Sequence, residues 1–255
     1  MKYFDVHTHT NYASLDSQAA EIARECKKLN ISYIDVGTDI NTSMLAIRHA
    51  RESQNVYACV GIHPNDVSRI DVNIAISEME ILLEENTAIV AIGETGLDYH
   101  YPGYNADEQK RVFLEHIKWA HKYKLPLMVH VRDAHEDAIA ILKENAQGLK
   151  VIIHCYTGDS ALVVKYVELD YYISINGVIT FNSAKALKEA IVKIPLNRLL
   201  SETDAPWLAP EPFRGQINSP LHIPIIVRAM SQILKMPEEQ LAEHLYKNAI
   251  NLFLN

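Results

Sequence analysis

The chain has 255 residues and a formal net charge of -8, with 48% hydrophobic and 22% charged residues, an ordinary globular composition with room for a large core. That acidity excludes duplex binding through an extended basic surface, because such binding relies on neutralised phosphates; any nucleic-acid contact is local or runs through bound cations. No apolar run approaches the ~20 residues of a bilayer span, and three scattered cysteines without a Cys-x-x-Cys pair predict free thiols in a cytoplasmic protein.

The first apolar run, residues 3–7, reads as a strand leading into His7-Thr8-His9. Alternate strand residues share a face, so the two imidazoles project together, the beginning of a metal site. Asp5 shares that parity and is expected either to orient an imidazole or to make a plain buried hydrogen bond. Further strand runs follow at 33–37, 56–61, 88–93, 127–131, 150–154, 171–176 and 199–203, about 30 residues apart. Segments of helical spacing separate them. The clearest is 107–124, with Val112, Phe113, Ile117, Trp119 and Ala120 on one stripe, acids in its first turn and Lys122 and Lys124 in its last. Asp133 with Glu136 reads as a capping box opening the next helix. After the eighth strand come a Pro-rich loop, 205–224, and two helices, 223–234 and 237–254.

Eight alternations in one chain of this length predict a single-domain α/β protein over 1–255, a (β/α)8 TIM barrel; an open doubly wound sheet is the competing arrangement. In such barrels chemistry sits at the carboxyl ends of the strands. His7 and His9 end the first strand, Glu94 follows the fourth, His130 ends the fifth, His154 the sixth and Asp204 the eighth. Each alone suits a hydrogen-bonded rim residue or a helix cap. Together, four histidines and two carboxylates in apolar surroundings call for a positive partner.

These residues lie in Phe4-Asp5-Val6-His7-Thr8-His9, Gly61-Ile62-His63-Pro64, Gly93-Glu94-Thr95-Gly96-Leu97-Asp98-Tyr99, His130-Val131-Arg132-Asp133-Ala134, His154-Cys155-Tyr156-Thr157-Gly158 and Glu202-Thr203-Asp204-Ala205-Pro206-Trp207-Leu208. The set resembles the TatD family of metal-dependent hydrolases, within the amidohydrolase-like barrels, over nearly the whole chain. Departures are Asn65, where many members carry another His, and Tyr156-Thr157 in place of a commoner Phe-Ser. The resemblance implies His7, His9, Glu94, His130, His154 and Asp204 as ligands of up to two divalent cations per subunit, Zn2+, Mn2+, Mg2+ or Co2+, with Glu94 bridging them.

It also implies a deoxyribonuclease, often a 3′-to-5′ exonuclease. The chemistry of a phosphodiester beside such cations leads to the expectation of a metal-activated water, with Glu94 and Asp204 catalytic and Asp204 accepting the water proton. A barrel mouth suits a strand end, so the expected partner is single-stranded or frayed DNA, with no membrane and a monomeric chain. An ester or amide hydrolase such as a D-aminoacyl-tRNA deacylase is the alternative, and a non-catalytic binding barrel is disfavoured because no ligand is missing. His63, Arg132, Tyr156 and Arg214 are expected to contact substrate, with a surface ion pair as the alternative role for Arg132. Tyr99, Tyr101, Tyr156 and Trp207 are placed as stacking or packing aromatics. Glu202, one layer deeper than Asp204, is assigned to a structural network.

Overall fold

In a computed structural model, residues 1–254 are described. Eight strands run β1 Tyr3–Thr8, β2 Ile31–Val36, β3 Val56–Val60, β4 Ile89–Asp98, β5 Leu127–Arg132, β6 Val151–Ile153, β7 Tyr172–Ile175 and β8 Leu199–Ser201. They pair in parallel and in sequence order, β1 to β8. β1 also lies against β8. Beyond the end of β8, the Asp204 amide donates to the His7 carbonyl (2.9 Å) and the His9 amide to the Ala205 carbonyl (2.7 Å). This closure rules out the open sheet and gives the (β/α)8 barrel.

Helices α1 Ala19–Lys28, α2 Ile40–Glu52, α3 Val72–Glu85, α4 Ala106–Tyr123, α5 His135–Asn145, α6 Ser160–Glu168, α7 Lys185–Ala190 and α8 Ile223–Leu234 each follow a strand, and α9 Glu238–Phe253 ends the fold. α4 shows why these segments are helical. Asn105 accepts the Glu108 amide at its start (3.2 Å), and Val112, Phe113, Ile117, Trp119 and Ala120 bury its inner stripe. The capping box expected at Asp133 and Glu136 does not form. Asp133 takes positive φ (54°) and bonds His100 Nδ1 instead (2.8 Å), so α5 begins without a side-chain cap.

The main core lies between sheet and helices. A second cluster fills the barrel interior, where Phe4, Val6, Ile34, Val36, Cys59, Ala91, Met128, Ile152 and Leu200 meet Ala249, Leu252 and Phe253 of α9. Helix α9 thus stoppers the amino-terminal end and leaves the carboxyl end for polar groups. Cys26 and Cys59 are buried and Cys155 half-buried, all as free thiols. Among the described residues no helix is long and apolar enough to cross a membrane.

Candidate metal centre

Two irregularities in the sheet set the direction of the key side chains. Between Asp5 and Thr8, β1 carries an extra residue against β2, and between Ile92 and Thr95, β4 carries one against β5. Such bulges re-aim side chains. Phe4 and Val6 line the interior, and the extra residue falls at Val6-His7, so that His7 and then His9 reach the mouth. The strict parity linking Asp5 to the two histidines therefore fails. The Asp5 carboxylate accepts the amides of His7 (3.3 Å) and Thr203 (2.8 Å) and the Thr203 hydroxyl (2.5 Å), and burial drives its pKa well above the usual carboxylate range despite those bonds.

Glu94 stands at the centre, nearly buried, with its two oxygens facing two groups of donors. Oε2 lies 3.3 Å from His7 Nε2 and 3.5 Å from His9 Nε2. Asp204 Oδ1 is 3.8 and 3.5 Å from the same two nitrogens, which are 3.0 Å apart. Ligands about 2.1 Å from a tetrahedral ion stand roughly 3.4 Å from one another, so these separations fit a cation. Oε1 faces the second group: His154 Nε2 at 2.7 Å and His130 Nδ1 at 3.0 Å, themselves 3.4 Å apart. All six expected ligands converge, and the donor set suits a divalent ion of borderline hardness.

Hydrogen bonds on the far side of each ring decide which nitrogen holds a lone pair. The His9 Nδ1–H donates to the Val36 carbonyl (2.8 Å), leaving Nε2 free for a cation. The His130 Nε2–H donates to Asp98 Oδ2 (3.1 Å), leaving Nδ1 facing Glu94. His63 differs. Its Nδ1 accepts the Asn65 amide (3.1 Å), so the neutral ring carries its proton on Nε2, 3.3 Å from Glu94 Oε1. His63 is thus a donor at the edge of the second group, beside His130 (ring centroids 4.6 Å apart).

The charges reinforce one another. Burial opposes ionisation of Glu94, yet the imidazoles of His154, His63 and His7 hold its pKa well below the usual value. Burial likewise opposes the charge of Asp204, and its bond with His9 and the nearby His7 and His154 win, keeping it ionised. His154 titrates well above the usual histidine range, because Glu94 and Glu202 outweigh its burial. Protons and cations therefore compete for the same lone pairs.

Three supporting residues carry no signal in the strand runs. Asp98 follows Glu94 on the same face of β4, which continues past residue 93 instead of stopping there. It accepts from His130, from Asn65 Nδ2 (2.9 Å) and from the His100 amide (2.9 Å), and these bonds together outweigh burial and bring its pKa to about 2. Gln109 of α4 bonds the Asp98 amide and carbonyl, both at 2.9 Å. His116 of α4 accepts the Ile62 amide (2.9 Å) and anchors the loop that presents His63. Polar residues on the buried stripe of α4 were the only clue to these two. Gly96, at φ 137°, passes so close to the His130 carbonyl that a side chain would collide with it.

The other expected contacts are more dispersed. Arg132 is exposed, donates to the Tyr101 hydroxyl (3.2 Å) and lies over that ring (5.2 Å). Arg214 packs over Phe181 (4.3 Å). Tyr156 is buried, its hydroxyl donating to the Asp159 carbonyl (2.5 Å), so it builds the loop wall and presents no free group. Trp207 meets His9 edge-on (5.2 Å) and Tyr12 (5.0 Å); Tyr12 and Trp207 are both exposed. Tyr99 stacks on Tyr104 (4.6 Å) and donates to Asp137 (2.8 Å).

Residues 4–254 match the family described as TatD related DNase. The chain is 37% identical over 260 residues to an uncharacterized metal-dependent hydrolase of Mycoplasma genitalium, covering 99% of both, and 37% identical over 256 residues to one of Bacillus subtilis, covering 98% of both. A TatD homolog from Escherichia coli has a crystal structure that superposes with TM-score 0.92 at 26% identity, over 98% of this chain and 97% of that one. A TatD family hydrolase from Entamoeba histolytica, 21% identical over 100% of this chain and 98% of that one, shares the fold with TM-score 0.90. Convergent ligands at the mouth of a closed barrel and a match along almost the entire sequence lead to one assignment: the chain belongs to the TatD family of metal-dependent hydrolases.

Proposed function

We propose that this protein is a deoxyribonuclease that removes nucleotides from the 3′ end of single-stranded or frayed DNA. The observation that carries the reading is Glu94, which turns one carboxylate oxygen to each of two donor groups. His7, His9, Asp204 and Glu94 would hold one divalent cation; His130, His154 and Glu94 a second. Divalent ions held there supply positive charge where a phosphodiester gains negative charge, and they acidify water.

The chain's own residues supply the rest. Asp204, ionised and at the mouth, accepts the proton of the attacking water on its carboxylate. His63 offers its Nε2–H to a phosphoryl oxygen, since its Nδ1 is occupied by Asn65. Arg132 reaches the rim as a planar cation suited to a neighbouring phosphate. Tyr12, Trp207 and Tyr101 expose ring faces or edges on which splayed bases stack. A recessed centre in an acidic chain favours a strand terminus over the middle of a duplex.

The test is release of labelled nucleotide from a 3′-labelled single-stranded oligonucleotide, with chelator and metal add-back. A 5′-labelled copy reports polarity, and an Asp204→Asn protein controls for contaminating nucleases. Metal-dependent release that Asp204→Asn abolishes supports the reading. No release from DNA, with hydrolysis of a D-aminoacyl-tRNA run in parallel, overturns it in favour of ester cleavage.

A further inference from the structure

The outer nitrogens of four imidazoles at this centre are treated unequally. His9 and His130 have theirs engaged by the Val36 carbonyl and Asp98. Those of His7 and His154, both Nδ1, are buried and have no hydrogen-bond partner among the described residues. The two rings stack face to face, centroids 3.8 Å apart and planes within 7°. Glu202 lies beside them, fully buried. Its Oε1 accepts the Cys155 amide (2.7 Å) and stands 3.6 Å from His154 Nδ1, while Oε2 has no partner. One nitrogen of His7, one of His154 and one Glu202 oxygen all lie within 4.8 Å of one another.

We propose that Glu202 is a positioning residue whose carboxylate holds His7 and His154 together, one ligand from each cation subsite, and so couples the two subsites. This rests on the reading that both donor groups take cations. When the Nε2 lone pairs are committed to cations, each neutral ring carries its proton on Nδ1. One of these N–H donors, on His154, then lies 3.6 Å from the Glu202 carboxylate, and the other, on the stacked ring of His7, is buried without a partner among the described residues. The 3.6 Å gap from His154 exceeds a hydrogen bond by a few tenths of an ångström. A His7 nitrogen lies within 4.8 Å of a Glu202 oxygen, so both rings come within reach after a small rotation of rings and carboxylate. A carboxylate behind a ligating imidazole fixes its orientation and raises its basicity. Asp98 does this for His130 alone, whereas Glu202 faces a ligand of each group. The segment Glu202-Thr203-Asp204 therefore contributes a ligand to the first subsite and an outer carboxylate to both.

The experiment compares apo wild type, Glu202→Gln and Asp98→Asn by calorimetric titration with Zn2+ and by the visible absorption of Co2+, without DNA. Glu202→Gln keeps an oxygen for the Cys155 amide, and its metal-free melting temperature is expected to stay near wild type. It should weaken both binding steps 10- to 100-fold, the range for outer-carboxylate loss, and change the Co2+ spectrum at both. Asp98→Asn should weaken one step only. Wild-type affinities in Glu202→Gln, or weakening of a single step, would overturn the proposal. So would a melting temperature lowered equally with and without metal, which marks a purely structural role. Failure of the nuclease reading leaves this titration unaffected; wild type that binds no cation overturns the coupling and the two-cation reading together.

Discussion

The two halves of the centre differ in enclosure. His7, His9 and Asp204, with Glu94 Oε2, come from the strands on either side of the barrel closure and from β4, and both imidazoles are almost fully buried. Asp204 keeps 12% of its side chain in solvent towards the mouth; in the other half His154 is buried, but the His130 side chain keeps 17% and His63 14%. The first half presents four donors at the spacing of a closed coordination shell; the second presents three and leaves its remaining side to His63 and the mouth. Closed shells hold ions and open ones meet substrate. On the proposed two-cation reading, the two donor groups sharing one carboxylate would serve different duties.

Removing a ligand from the closed half breaks the comparison most severely. Asp204→Asn is expected to lower kcat/KM for hydrolysis by about 10²- to 10⁴-fold and to remove one bound ion, counted by elemental analysis. Full metal content in that variant would refute the assignment of the closed half.

The open half depends on His116, whose bond to Ile62 sets the His63 loop. Burial lowers the His116 pKa from 6.5 to about 4, with the Val112 carbonyl opposing weakly. Its folded pKa lies below its unfolded one, so the unfolded chain takes up the proton first. Its stabilising contribution is complete above pH 6.5 and is lost as pH falls towards 4, by roughly 3 kcal/mol. Urea denaturation of metal-free protein at pH 7, 5.5 and 4 should show a shallower pH dependence in His116→Leu; an unchanged slope would sink the claim.

Asp98→Asn sharpens the contrast further. The metal concentration giving half-maximal activity should rise 10- to 100-fold while the tighter ion stays bound. The smallest effect is expected at the rim: Trp207→Ala should raise KM for a single-stranded oligonucleotide by an amount equivalent to about 1 kcal/mol and spare kcat. Equal losses in both parameters would place Trp207 in the chemistry instead.

The strands were legible because each is a short apolar run, and the ligands because ionisable groups at the ends of such runs are costly to bury alone. The barrel followed from the count of alternations. Less visible was anything that departs from period two. The bulge in β1 re-phases His7 relative to Asp5, and no residue type announces it. β4 reads as ending at Gly93 because glycine usually interrupts a strand; here it continues to Asp98, which hid that outer carboxylate. Asp133 and Glu136 have the spacing of a cap, but a tertiary partner, His100, took Asp133 instead. Tyr156 was expected to contact substrate, and its burial with its hydroxyl on the Asp159 carbonyl closed it off.

The seam where the last strand meets the first has a consequence for synthesis on the ribosome. Asp204 hydrogen-bonds to His7 across that joint, and α9 plugs the barrel from below. A nascent chain that has not yet released its final quarter holds the two early histidines without their distant carboxylate. The closed half is therefore assembled late, because its four donors are brought together only once the last strand has met the first.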